Sequence, residues 1–339
     1  MTRRGHLGVI GAGSWGTAFA SILASNHLPT LLWARRNELA REINARHMNQ
    51  PYLPDIPLPT TLRATANLEE AVSTASTIVI GMPSHAFRDK LVEIGPMIQP
   101  GVAVVSLTKG VEQETLFRMT EVIVDAAKIE PERAAVVSGP NLAKEVARGQ
   151  PGATVVACSD MGRARRLQRL FHHRTLRVYC NDDVAGVEIA GACKNVIALA
   201  AGMADGLGYG DNSKSALITR GLAEVTRLGV RVGAKPMTFI GLAGVGDMIA
   251  TCTSKLSRNR HVGEELGKGR ALDEIIAEMN MVAEGVKSCR AILGLAERAG
   301  VDMPIASRVA RVLFDGVHPK DMVEDLMLRA PEPEFLGIA

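Results

Sequence analysis

The sequence predicts an α/β fold, with a doubly wound sheet in the N-terminal half and an all-helical domain after it. Three observations predict this. Short apolar runs alternate with amphipathic helical periods through the first half. A glycine-rich turn, Gly11-Ala12-Gly13-Ser14-Trp15-Gly16, joins the first run to the first helical period. Beyond residue 180 the strand-like runs almost vanish and helical periods dominate.

The predicted strands are 6–10, 30–33, 77–80, 102–106, 134–137, 153–158 and 176–180. Each is rich in Val, Ile or Leu and nearly continuous in apolar character, as parallel strands buried on both faces are. Helical patterns at 15–25, 38–47, 118–128 and 161–171 separate them. Four prolines between 51 and 59 forbid a central strand or helix, and the segment reads as an ordered flap or, more simply, as a long excursion. Asn181-Asp182-Asp183 reads as a helix cap and a domain boundary, giving domains 1–180 and 181–339. The second domain has helical periods at 184–203, 213–230, 246–251, 260–268, 272–279, 285–298, 304–314 and 320–325.

Composition excludes several classes. With 339 residues, 47% apolar and 22% charged, the chain has material for a sizeable core. A net charge of +3 argues for neither nucleic acid nor a membrane surface, and 4% aromatics is too few for base-stacking platforms. No apolar run reads as long enough for stable membrane insertion. The five cysteines, Cys158, Cys180, Cys193, Cys252 and Cys289, are widely spaced with no Cys-x-x-Cys pair, so no disulfide framework or metal site is expected. Reduced cysteines and the lack of a targeting segment lead to a cytoplasmic expectation.

The glycine turn is a Gly-x-Gly-x-x-Gly motif between a strand and a helix, the context that makes it a dinucleotide site of the Rossmann type. Gly11 allows the tight turn, Gly13 lets the backbone approach a pyrophosphate, and Gly16 lets the helix pack on the sheet. The helix N-terminus supplies the anion site. At the end of the second strand, Trp33-Ala34-Arg35-Arg36-Asn37 offers no carboxylate for a ribose 2′-hydroxyl. Arg35 and Arg36 suit a 2′-phosphate instead, so NADPH is expected as the preferred cofactor, with NADH also accepted. The same pair also reads as an ordinary solvated charge cluster.

Lys194 stands out in the second half. It lies in Gly191-Ala192-Cys193-Lys194-Asn195-Val196-Ile197-Ala198, a lone charge among small and apolar residues. Burial there would lower its pKa and make it a candidate acid–base group or anion anchor; a lysine snorkelling at a helix edge fits the same pattern. Lys109 follows a predicted strand, at the edge where ligands bind in open α/β sheets. Ser138-Gly139-Pro140-Asn141 also follows a strand. Asp247 begins a helical period as either a site carboxylate or a cap. Ser257-Arg258-Asn259-Arg260 combines a hydroxyl, an amide and guanidinium groups suited to phosphate, or forms a solvated helix start. His85 is a lone loop histidine, and His172 and His173 lack metal-spaced partners.

Together these segments resemble the soluble prokaryotic-type NAD(P)-dependent glycerol-3-phosphate dehydrogenases. The resemblance covers nearly the whole chain and is most specific from Gly191 to Ala198, continuing through Gly202, Asp205-Gly206 and Gly210-Asp211-Asn212. Gly11–Gly16, 79–85, 108–112, 139–145 and 244–259 are also similar. Cys193 departs from the family's usual aliphatic residue. The resemblance implies reversible reduction of dihydroxyacetone phosphate to sn-glycerol 3-phosphate, supplying glycerophospholipid synthesis, with Lys194 as the general acid–base. It implies that Lys109, Gly139, Asn141, Lys194, Asp247, Ser257, Arg258 and Asn259 contact the phosphorylated triose. Cofactor contacts are implied for Ser14, Trp15, Arg35, Lys109, Ala143, Arg258, Val282 and Glu284, beside the glycines and Arg36. It also implies a homodimer.

Two other readings remain. A related β-hydroxyacid dehydrogenase shares the architecture, but such relatives place an asparagine four residues after the lysine, where this chain has Ala198, with Asn195 adjacent instead. A non-catalytic NADP-binding regulator would have no need to keep Lys194, Asp247 and Arg258 together.

Overall fold

A computed structural model describes residues 5–279, 283–331, 333, 334 and 337. The chain forms two compact units, residues 1–108 with 119–184 and residues 109–118 with 185–339.

In chain order the first unit contains β1 (Leu7–Ile10), α1 (Ser14–Ser25), β2 (Thr30–Trp33), α2 (Asn37–Arg46), β3 (Arg63–Thr65), α3 (Leu68–Val72), β4 (Thr77–Ile80), α4 (Phe87–Ile94), β5 (Ala103–Ser106), α5 (Met119–Ala127), β6 (Ala134–Ser138), α6 (Ala143–Ala147), β7 (Gly152–Ala157), α7 (Met161–Phe171) and β8 (Leu176–Asn181). The sheet order is β3-β2-β1-β4-β5-β6-β7-β8. Its first six strands are parallel in the doubly wound dinucleotide-binding order. The order reverses between β1 and β4, so the glycine turn after β1 lies at the switch point, where such sheets bind ligands.

Helices form two groups in mutual contact, α1 with α6 and α7, and α3 with α4 and α5. They cover a sheet whose β1, β4, β5 and β6 are buried along their whole length, which is why those strands read as unbroken apolar runs. Phe19 of α1 and Phe171 of α7 are fully buried and meet edge to face at 5.0 Å. Each such ring contributes roughly 1.5–3 kcal/mol by burial.

The structure departs from the sequence expectation in three places here. Strand β7 pairs antiparallel with β6, not parallel; an apolar run carries no sign of its direction. The edge strand β3 was not expected, because three residues led by an exposed arginine carry no apolar run. The segment with four prolines is no loose excursion. Leu53, Ile56 and Leu58 are 0–5% exposed and belong to the first unit's core.

The second unit contains α8 (Val184–Gly206), α9 (Asp211–Arg231), α10 (Pro236–Phe239), α11 (Asp247–Thr253), α12 (Arg258–Gly267), α13 (Leu272–Ala277), α14 (Glu284–Ala299), α15 (Pro304–Phe314) and α16 (Pro319–Met327). Segment 109–118, which a boundary at 180 assigns to the sheet domain, packs with these helices. The Arg118 guanidinium donates to the buried Glu188 carboxylate on α8 at 3.1 Å, and Gln113 donates to the Lys287 carbonyl at 2.8 Å.

Helix α8 corrects the reading that no run could cross a bilayer. It is long and apolar enough, with a mean hydropathy of 1.5 in its most apolar window, yet 89% of that window is buried inside this protein. Its apolar residues are core residues. Helix α12 lies against it through glycines. A Cβ at Gly202 would come within 2.0 Å of the Arg260 carbonyl, and one at Gly263 within 2.0 Å of the Leu199 carbonyl. This backbone-close crossing fixes the α12 N-terminus relative to the middle of α8.

Candidate active site

Lys194 projects from the middle of α8 and is 6% exposed, so it does not snorkel. Its ammonium donates to Asp247 Oδ1 at 2.6 Å and to the Thr251 hydroxyl at 2.5 Å. Lys109 donates to the other oxygen of the same carboxylate, Asp247 Oδ2, at 2.5 Å. One buried carboxylate therefore holds two ammonium groups.

The backbone around Asp247 explains its aim. The segment Leu242–Gly246 is kinked at Gly244, whose ψ of −106° is not helical. Only glycine fits there, since a Cβ would sit 1.9 Å from the Phe239 carbonyl. Asp247 opens α11 with its carboxylate used by the lysines and not as a helix cap. Thr251 stands one turn on and on the same face; its hydroxyl donates to the Asp247 carbonyl at 2.7 Å, leaving lone pairs for Lys194. Sequence reading missed Thr251, because one threonine four residues after Asp247 carries no signal until Lys194 is seen to reach it.

Electrostatics make Lys194 unusual. Burial pushes its pKa down to about 8, the Asp247 carboxylate opposes that shift, and the Lys109 charge adds to it. The ammonium and amine forms are thus both accessible near neutral pH.

The proposed phosphate segment starts α12. Ser257 is 4% exposed and caps the helix by accepting from the Arg260 N–H at 3.2 Å. Its O–H proton remains a donor. Arg258 is exposed as a residue. Desolvation of its guanidinium lowers its pKa, and the charge of Glu284, the first residue of α14, opposes this. Asn259 is buried and partly committed. Its Nδ2 donates to Asn195 Oδ1 at 2.9 Å, and its Oδ1 accepts from the Gly285 N–H at 2.9 Å. The adjacent asparagine that distinguishes this chain therefore serves to brace Asn259.

The remaining predicted positions lie in the first unit, apart from Val282, which lies outside the described residues. Gly139 follows β6 with φ +140°, a conformation that favours glycine. Asn141 donates to the Thr154 hydroxyl at 3.2 Å, and Ala143 opens α6. Arg35 and Arg36 are exposed just beyond β2.

The glycine turn fits a dinucleotide pyrophosphate. Gly11 has φ +113°, and a Cβ at Gly16 would approach the Gly11 carbonyl to 2.0 Å, whereas one at Gly13 would meet nothing within 4 Å. That open face precedes the N-terminus of α1, which starts at Ser14. The Trp15 indole N–H is buried without a partner among the described residues, a donor suited to a ligand. Among the described residues, no group of three or more His, Cys, Asp or Glu is placed to hold a metal ion.

Comparison with known proteins agrees with this architecture. The family model for the N-terminus of NAD-dependent glycerol-3-phosphate dehydrogenase matches residues 6–164, and the model for its C-terminus matches residues 183–324. A glycerol-3-phosphate dehydrogenase [NAD(P)+] of a Parafrankia species is 53% identical over 327 residues, covering 96% of this chain and 98% of that protein. The Streptomyces griseus protein of the same name is 52% identical over 334 residues, covering 98% and 99%. The crystal structure of glycerol-3-phosphate dehydrogenase from Coxiella burnetii superposes with a TM-score of 0.91 at 36% identity, covering 96% of this chain and 99% of that one. The chain belongs to the NAD-dependent glycerol-3-phosphate dehydrogenase family.

Proposed function

We propose that this protein catalyses the reversible NAD(P)H-dependent reduction of dihydroxyacetone phosphate to sn-glycerol 3-phosphate, with Lys194 as the general acid–base. The buried Lys194 ammonium, held by Asp247 and Thr251, carries the reading. When bound, the dihydronicotinamide supplies a hydride to the ketone carbon. The oxygen of that ketone gains charge as the carbonyl opens and needs a proton. Lys194 in its ammonium form stabilises the developing alkoxide and delivers the proton; in the oxidative direction the neutral amine takes it back. Asp247 and Thr251 fix the direction of the Lys194 N–H bonds. Lys109 balances the carboxylate, so that Asp247 does not hold Lys194 fully charged. Proton transfer also needs the triose to be oriented. The Ser257 hydroxyl, the Arg258 guanidinium and the free Asn259 amide N–H supply donors for its phosphate at a helix N-terminus. Gly139 and Asn141 are proposed as further substrate contacts.

For the cofactor we assign Gly11, Gly13, Ser14, Trp15, Gly16, Arg35, Arg36, Lys109, Ala143, Arg258, Val282 and Glu284. The two arginines beyond β2, with no carboxylate beside them at the strand end, support a preference for NADPH over NADH. A cytoplasmic homodimer that feeds glycerophospholipid synthesis is the setting that the family supports. The test is loss of NADPH absorbance on adding dihydroxyacetone phosphate, with a ketoacid panel as control. Turnover confined to the ketoacids would reject the substrate assignment, and a lower KM for NADH would reject the cofactor preference.

A further inference from the structure

We propose that Asn49, in the loop after α2, is a positioning residue that presets the pyrophosphate-binding turn by locking one peptide plane. The proposal rests on the reading that the first unit binds NAD(P), and it concerns a residue outside the glycine motif.

Asn49 is fully buried. Both protons of its side-chain amide are used inside the first unit. Nδ2 donates to the Ala12 carbonyl at 3.0 Å and to the Thr17 hydroxyl at 2.8 Å. Ala12 lies between the first two glycines of the turn, and Thr17 lies in the first turn of α1. Asn49 is itself pinned, because its carbonyl accepts from the Tyr52 N–H at 3.2 Å and the Leu53 N–H at 2.8 Å. The same strap reaches back once more, with the Ser14 hydroxyl donating to the Tyr52 carbonyl at 2.8 Å. Leu53, Ile56 and Leu58 then anchor the strap in the core.

The consequence follows from peptide geometry. In a planar trans peptide the C=O and the next N–H point in opposite directions. Asn49 holds the Ala12 C=O on its own side, so the Gly13 N–H must face the other way, toward the open side of the turn. No protein acceptor for that N–H appears among the described residues. Left alone, this peptide would be looser, since Gly13 on one side of it permits many backbone angles. A buried side chain supplies the rigidity that the glycines remove.

The unpaired end of Asn49 supports a positioning role. Its Oδ1 is buried without a partner among the described residues. An unsatisfied buried acceptor disfavours an amide at a purely structural position, where an aliphatic side chain would pack without that cost. Turning the amide over is no remedy, because it would set Oδ1 against the Ala12 carbonyl oxygen.

Asn49→Asp keeps the shape and removes both donors; Asn49→Leu removes the polarity as well. Titration of NADPH fluorescence should show the Kd raised about tenfold or more in both variants, the effect of a lost ligand hydrogen bond. At saturating NADPH, kcat with dihydroxyacetone phosphate should stay within about twofold, since chemistry is untouched. A Kd within twofold of wild type in a variant with native circular dichroism would overturn the proposal. Amide exchange in the wild-type protein gives a test independent of variant folding, in which NADPH should slow exchange at the Gly13 N–H. An unchanged Gly13 amide in NADPH-saturated protein would also overturn it. Wild-type NADPH oxidation with dihydroxyacetone phosphate, run alongside, tests the functional reading separately.

Discussion

Lys194 and Lys109 share one carboxylate, donating to opposite oxygens of Asp247 at 2.6 and 2.5 Å. The two cations come from distant parts of the chain, and both belong to the second unit. The arrangement keeps Lys194 charged enough to donate a proton and neutral enough to accept one.

A pH dependence follows from the lowered Lys194 pKa of about 8. In the proposed reaction ketone reduction uses the ammonium, so kcat in that direction should fall as pH rises through about 8. Alcohol oxidation would use the amine by the same proposal and should rise over the same range. Removing the neighbouring charge with Lys109→Met should move both limbs to higher pH. Steady-state rates in both directions from pH 6 to about 10 check this; limbs that run the opposite way would contradict the assignment.

Asp247→Asn should be costly twice. It takes the carboxylate away from the buried Lys194 ammonium, and breaking a buried pair of this kind costs about 3–5 kcal/mol of stability. It also removes the influence that raises the Lys194 pKa. The acid limb for reduction should therefore move below its wild-type position. Chemical denaturation and the pH–rate profile measure the two effects separately.

Arg258→Ala should raise KM for dihydroxyacetone phosphate by about ten- to a hundredfold, the range for losing a hydrogen bond to a charged group. Unphosphorylated dihydroxyacetone should be little affected. Equal effects on both ketones would remove Arg258 from the phosphate assignment.

A second buried ionisable group gives a stability test far from turnover. Glu224 on α9 is 1% exposed and accepts from the Ile305 and Ala306 N–H groups at the start of α15, at 2.8 and 2.9 Å. Burial pushes its pKa up to about 7; those two hydrogen bonds and the Arg227 charge oppose the shift, and Asp302 adds to it. The folded state thus binds this proton more tightly than the unfolded one. The group's stabilising contribution is full below its ordinary pKa of 4.5 and is lost as pH rises through about 7. Its size is on the order of 3 kcal/mol. Glu224→Gln should flatten that part of the Tm against pH curve between pH 5 and about 8.

Local chemistry was legible in the sequence, and long-range pairing was not. The glycine turn could be read because Gly11 and Gly16 answer steric demands of the backbone near them, while Gly13 keeps one face of the turn open. Lys194 could be read because a lone charge among small residues already signals burial. The three-residue β3 and the direction of β7 depend on neighbouring strands, which a short run does not encode. Thr251 was hidden because one threonine on an ordinary helix becomes informative only when Lys194 is seen to reach it. Asn49 was hidden among prolines that signal irregular backbone but not its anchorage. Asn259 was read as a ligand contact, yet much of its amide is spent on Asn195 and Gly285.

The most direct measurement is the kcat of Lys194→Met with saturating NADPH and dihydroxyacetone phosphate, beside its Kd for NADPH. The proposed chemistry predicts a fall of about 10²- to 10⁴-fold in kcat, with cofactor binding and the fold retained. Turnover near the wild-type rate would contradict Lys194 as the acid–base.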